Sequence, residues 1–253
     1  DHKSSRGLGD VYKRQVGASV MYDGAHVLGL IAGGQFQDPL REGADLMTGS
    51  SHKTFPGPQG GFLLSSSEDE TFHRRLNNAM FPGVCSSYHL HHVAGKVMAL
   101  AEFMEYGEAY ATDIVSNARA FAGALAAEGF DVLAESRGYT ASHQVLTRHG
   151  ELDSGAGAKA AQRLEEAGII TNMNMLPGDT KAMTPSGLRL GVQELTRVGF
   201  SNEDMEEVAS FYARVLLHGE DPAAVRADVH ALKQQRQTIR YCFNEDERSG
   251  YPE

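Results

Sequence analysis

The chain has 253 residues, 41% of them hydrophobic and 22% charged, with a formal net charge of −10 and two cysteines. That size and apolar share can bury a large core in one or two domains, while the negative balance and scattered basic residues argue against nucleic acid or an anionic membrane as main partners. Cys85 and Cys242 make no disulfide framework, which suits a reducing cytoplasm; no apolar run approaches bilayer length, and the N-terminus lacks the charged-then-apolar order of a signal peptide.

Residues 1–15 show no periodicity and read as a non-native leader, outside the fold. Val16 to Tyr22 (VGASVMY) is short and apolar and is followed by Asp23 and Gly24, as expected of a buried parallel strand whose carboxyl end meets a ligand crevice. Leu46 to Gly49 is a second strand leading into a polar loop, and Gly61 to Ser65 a third. Ser67 with Glu70, ahead of Phe72, has the form of a capping box. His89 to Ala127 carries Ala, Leu, Met and Glu at helical spacing and predicts one long helix or a pair, with Gly95 and Gly107 as interruptions and Gly129 as an end.

A second part begins near Phe130. Strands are predicted at Asp131 to Ala134, His143 to Thr147 and Leu188 to Val192, and helices at Ala156 to Ala167 and Asn202 to Leu217. Asp221-Pro222 opens another helix to about Gln237, with Pro222 in its first turn, and the polar end from Asn244 frays. The division is a leader over 1–15, a large-domain portion over 16–129, a smaller α+β domain over 130–220, and a C-terminal helix and tail over 221–253.

The chemistry concentrates in Ser50 to Gly61 (SSHKTFPGPQGG), a Gly/Pro-bounded loop holding one lysine, Lys53, with Asp23 and His26 after the earlier strand. A lysine in a fixed site and a carboxylate to pair with a pyridinium nitrogen are the equipment for holding pyridoxal phosphate (PLP). Arg189 lies in an otherwise apolar strand (Leu188, Leu190, Val192), which is costly without an anionic partner.

Three blocks in order, Tyr22 to Gly34 (YDGAHVLGLIAGG), Ser51-His52-Lys53-Thr54 and Ser186 to Gly191 (SGLRLG), resemble the serine hydroxymethyltransferase family, fold-type I PLP enzymes, over roughly Val16 to Leu217. The resemblance implies an α/β fold, mostly a parallel sheet with helices, followed by a smaller α+β domain. It implies that Lys53 is the Schiff-base lysine, Asp23 the acid at the pyridinium nitrogen, and His26 the histidine near the PLP hydroxyl. Ser51 and His52 line the cofactor, Arg189 clamps the α-carboxylate of the amino acid, and Asn172 contacts the pterin carrier. The family's N-terminal portion supplies a phosphate-cradling turn, a ring-stacking side chain and a glutamate. With the similarity beginning at Val16, none of these is assigned.

The implied reaction interconverts serine and glycine with a one-carbon carrier, tetrahydrofolate or tetrahydromethanopterin, in a homodimer whose sites are completed across subunits. Phe55 to Gly61 lacks the two arginines common after the lysine, Val84 to His92 replaces a glycine pair, and Gly191-Val192-Gln193-Glu194 differs from the usual form. These variants resemble the archaeal-type branch and the related transaldolases, so an aldehyde-using threonine-type aldolase or transaldolase stands as the alternative, with a catalytically dead fragment or homologue as a third. His89 and His92 could share a helix face, but no third ligand is placed, so no metal is assigned.

Overall fold

The computed structural model describes residues 16–244, and the expected leader and the tail from residue 245 lie outside the described residues. The chain divides into two compact units after Glu108, inside a helix rather than near Phe130.

In the first unit, β1 (Met21–Asp23) pairs in parallel with β2 (Leu46–His52), and β2 pairs antiparallel with β3 (Pro56–Leu64). The α/β class stands as expected, with one parallel and one antiparallel pair among these three strands. The buried strand expected from Val16 reduces to three paired residues, and Met21 is 62% exposed. Apolar patterning marks the segment, but β1 has β2 as its single neighbour in this sheet, so pairing stops where β2 begins.

The crossover from β1 to β2 holds α1 (Leu28–Ala32). Leu28, Met47, Phe55 and Ala99 form the local core, with Tyr22, Ile31, Phe62 and Phe103 packed against it. The Phe55 ring meets Phe62 edge-on at 5.5 Å and Phe103 at 5.0 Å between centroids, arrangements favoured by the ring quadrupole. Helix α2 (Glu70–Asn78) is capped by Asp69, whose carboxylate accepts from Thr71 N at 2.8 Å, and Ser67 Oγ accepts from Asp69 N at 3.1 Å. The cap therefore falls two residues after the serine expected to provide it.

Helix α3 (Leu90–Ala127) runs unbroken through Gly95 and Gly107. Glycine costs about 1 kcal/mol in a helix interior, and packing outweighs it. In its later part Ala111, Ile114, Ala118, Ala122 and Leu125 are buried at three- and four-residue intervals. Leu90, Val97, Met98 and Met104 in its earlier part are exposed.

The second unit is an antiparallel sheet in the order β4 (Asp131–Val132), β5 (Gln144–Arg148), β7 (Gly187–Gly191), β6 (Asn172–Asn174). Helices α4 (Ala156–Glu166), α5 (Gln193–Arg197), α6 (Asp204–Leu216) and α7 (Pro222–Gln234) accompany it. Leu164, Leu188, Leu190, Val192, Met205, Val215 and Val225 are among its buried side chains. Gly157 of α4 abuts the backbone of Gly187, where a Cβ would collide with it. Asn117 donates to Thr196 Oγ1 at 2.9 Å and to the Phe200 carbonyl at 3.0 Å, satisfying a buried amide. Asp204, almost fully buried, is paired with Arg236 at 2.7 Å.

His149, just after β5, places its Nε2 2.8 Å from Thr147 Oγ1, and its ring lies 5.9 Å from that of Phe130. Burial lowers its pKa to about 4, and nearby Asp131 opposes this only in part. A histidine whose folded pKa is depressed leaves stability intact above its unfolded value near 6.5; below it the unfolded chain takes the proton first, so stability falls until the folded pKa is reached. Between pH 6.5 and 4 this one group should cost ~1–3 kcal/mol after allowance for solvent access. Urea midpoints measured across that range should fall less steeply in His149→Gln than in the unaltered chain; equal slopes would remove the histidine from the account.

Candidate cofactor and substrate site

The expected site residues form two groups, one in each unit. In the first, Asp23 ends β1 and stands opposite Thr48 of β2, and Lys53 follows the last residue of β2. The acid thus sits at the carboxyl end of one strand and the amine just past that of its parallel neighbour, the side on which open α/β sheets form ligand crevices. Asp23 is exposed and Lys53 half-buried. One Asp23 oxygen accepts from Ala25 N at 2.9 Å, and Gly24 N donates to the Thr48 carbonyl at 2.8 Å, so the chain turns sharply at the acid. His26 lies in this turn, ahead of α1.

What ties that turn to the lysine is Thr54. Fully buried, it accepts from Gly29 N at 3.0 Å and donates to the His26 carbonyl at 2.9 Å. Gly29 lies so close to Thr54 and Phe55 that a Cβ would run into their backbone. Ser51 and His52 divide by strand alternation. Ser51 is buried and its hydroxyl donates to the Pro58 carbonyl at 2.7 Å, whereas His52 is exposed and its Nδ1 accepts from Gly60 N at 3.4 Å. Of the two, His52 presents its side chain outward, and Ser51 holds the turn from within.

In the second unit Arg189 is half-buried between buried Leu188 and Leu190, its register partners being Leu146 on β5 and Asn172 on β6. The Asn172 amide satisfies both its neighbours in one orientation, its oxygen accepting from Arg189 Nη2 at 2.7 Å and its nitrogen donating to the Met173 carbonyl at 3.0 Å. Arg148, Arg214 and Arg236 have carboxylate partners in Asp131, Glu220 with Asp228, and Asp204. Among the described residues Arg189 has none. His89, His91 and His92 cluster with ring centroids 4.5 to 5.5 Å apart, but no group of three or more His, Cys, Asp or Glu among the described residues is arranged to hold a metal.

A family model described as serine hydroxymethyltransferase matches residues 8–212. The chain belongs to the serine hydroxymethyltransferase family. It is 58% identical over 234 residues to the serine hydroxymethyltransferase of Thermococcus kodakarensis, covering 91% of this chain and 54% of that protein. The Thermoplasma acidophilum protein of the same name is 49% identical over 94% of this chain and 55% of its own length. Among solved structures, the L-threonine transaldolase of Pseudomonas fluorescens in its internal aldimine state superposes with a TM-score of 0.83 at 33% identity, covering 91% of this chain and 52% of that one. The chain spans about half the length of the curated relatives it matches.

Sequence reasoning missed two supports in this member of the serine hydroxymethyltransferase family. Thr54 adjoins the lysine but reads as one more polar loop residue, because its partners lie 25 and 28 positions away. Asp179 is the other. Burial pushes its carboxyl up, but hydrogen bonds from Leu176 N, Ser186 N, Asp153 N and Ser186 Oγ hold it well below the usual carboxylate range. Those bonds close the loop between β6 and β7.

Thr54→Val should lose ~2–4 kcal/mol, since the Gly29 amide and the His26 carbonyl would both be left buried without this partner, and Gly29→Ala ~1–3 kcal/mol by overpacking. Chemical denaturation of both variants, with Thr54→Ser retaining most of the stability, is the check. A loss under ~0.5 kcal/mol in Thr54→Val would mean that the bridge does not hold this junction.

Proposed function

We propose that the chain carries the lysine, the acid and the carboxylate clamp of a PLP-dependent enzyme that interconverts serine and glycine, passing the serine Cβ as a one-carbon unit to a tetrahydropterin. The observation that carries this reading is the placement of Asp23 at the carboxyl end of β1 and Lys53 just past that of its parallel neighbour β2, with Thr54, next to the lysine, bonded to His26 and Gly29 of the segment that follows the acid. The donor set fits PLP: an amine for its aldehyde carbon, a carboxylate for its ring nitrogen, and the His26 and His52 imidazoles beside them. When bound, PLP supplies an electron sink for negative charge at the substrate Cα.

The chain's own part is to orient and to hold charge. Asp23 keeps the cofactor's ring nitrogen protonated, and Lys53 anchors the cofactor. Arg189 takes the substrate α-carboxylate in its planar fork and so sets which Cα bond is presented for cleavage. A half-buried arginine with no anionic partner among the described residues is suited to an anion supplied by substrate. The first unit is in this reading the C-terminal portion of the PLP-binding domain and the second the small domain.

A threonine-type aldolase or transaldolase, with an aldehyde in place of the pterin, is favoured by a separate observation, the superposition on the Pseudomonas fluorescens transaldolase. Both chemistries use the same three residues. A homodimer is supported by Phe81, Val84, Tyr88, Leu90 and Met104 in the first unit, all more than 60% exposed, since apolar surface of this kind marks interaction sites. No helix among the described residues is long and apolar enough to cross a membrane.

Borohydride treatment of the PLP-loaded enzyme that contains this chain should fix the cofactor to the peptide carrying Lys53, and Lys53→Ala should abolish both this and the visible absorbance. Exchange of the glycine Cα proton and cleavage of serine should then depend on a tetrahydropterin. Exchange that runs with an aldehyde and ignores the pterin would establish the transaldolase reading instead.

A further inference from the structure

The substrate clamp depends on a guanidinium at the end of a long flexible side chain. A free arginine loses rotamer entropy when it is immobilised on a ligand. Whatever restrains it beforehand reduces that loss. Asn172 is in position to do so. It stands directly across from Arg189 in the β6–β7 ladder, so both side chains leave the same face of the sheet, and its amide oxygen accepts from Nη2 at 2.7 Å.

That pairing is itself protected from slippage. Asn174 pairs with Gly187 at the same end of the ladder at which Asp179 binds Leu176 N, Ser186 N and Ser186 Oγ, at 2.9, 3.0 and 2.8 Å. The loop between the strands is closed by one carboxylate, and Asp153 ties it down through Thr180 N, Thr180 Oγ1 and Lys181 N at 2.7 to 2.8 Å. A one-residue slip would send Asn172 to the other face, and this clasp opposes it. In the orientation that satisfies both neighbours, each end of the Asn172 amide has a partner, Arg189 at the oxygen and the Met173 carbonyl at the nitrogen.

We propose that Asn172 is a positioning residue for Arg189, its carbonyl holding one arm of the guanidinium so that the rest of the fork is pre-set for an amino-acid carboxylate. The inference rests on the reading that Arg189 takes that carboxylate. It assigns Asn172 to amino-acid affinity and not to the carrier. The amide is neutral, so it orients the cation without competing for it as an aspartate would.

The test is a steady-state split in the PLP-loaded enzyme that contains this chain. Asn172→Ala, and Asn172→Ser as a second variant, should raise KM for serine and the spectroscopic Kd for glycine roughly tenfold, the loss expected for one hydrogen bond to a charged group. The KM of the tetrahydropterin and kcat should shift less than about twofold. In an Arg189→Ala background the same change should have no further effect, because the two residues act as one unit. A rise in the pterin KM with serine KM unchanged would overturn the proposal, as would additive losses in the double variant. If Arg189→Ala itself leaves serine KM unaltered, the carboxylate reading fails first and takes the proposal with it; if only the Asn172 variants are silent, the positioning role alone fails.

Discussion

A single buried hydroxyl joins the two pieces of chain that carry the candidate cofactor residues of the first unit. Thr54 Oγ1 receives the Gly29 amide and gives its proton to the His26 carbonyl, so the turn that follows the acid and the loop that follows the lysine share a fastening. The fastening requires a glycine, because the backbone of Thr54 and Phe55 occupies the volume a side chain at position 29 would need. Around it the order of construction is plain. Parallel pairing of β1 with β2 sets Asp23 opposite Thr48, the hairpin into β3 buries Ser51 and turns His52 outward, and Phe55 anchors the loop's far side in the Leu28, Met47 and Ala99 core. Lys53 is held because the residues on both sides of it are buried or bonded.

The group around Arg189, in the second unit, is built differently. Its sheet is antiparallel, and its arginine sits in the third strand of the order β4-β5-β7-β6, with neighbours on both sides. Two carboxylates, Asp153 and Asp179, stitch the loop before that strand to the segment between β5 and α4. Such groups look catalytic in a list of acids, but the bonds they accept come from backbone amides and hydroxyls of these two segments. Arg189 is the converse case, a charged group that among the described residues has a neutral amide, and no carboxylate, as its partner.

The residues proposed to bear the chemistry stand out in the sequence because each breaks a local pattern: an aspartate ending an apolar run, one lysine in a Gly/Pro loop, an arginine between leucines. Most helices were legible too, since α4, α6 and α7 carry amphipathic spacing with recognisable starts. What could not be read depends on register between distant segments. Val16 to Tyr22 has strand composition, yet composition cannot say that only its last residues find a partner. The residues after Asp23 have helical spacing but form a turn, because the carboxylate bonds to Ala25 N. Asn172 looked like a turn residue or a carrier contact, and only strand pairing shows that it faces Arg189.

The contact of Gly157 with Gly187 carries a mechanical consequence. With no side chain between them, helix α4 rests directly on the backbone of β7 two residues before the arginine. A strand backed in this way has little room to recoil. In the proposed reading, a carboxylate arriving at Arg189 would meet a strand that does not bend away, and a bulkier acid would be admitted by rearrangement of side chains and not by a yielding floor.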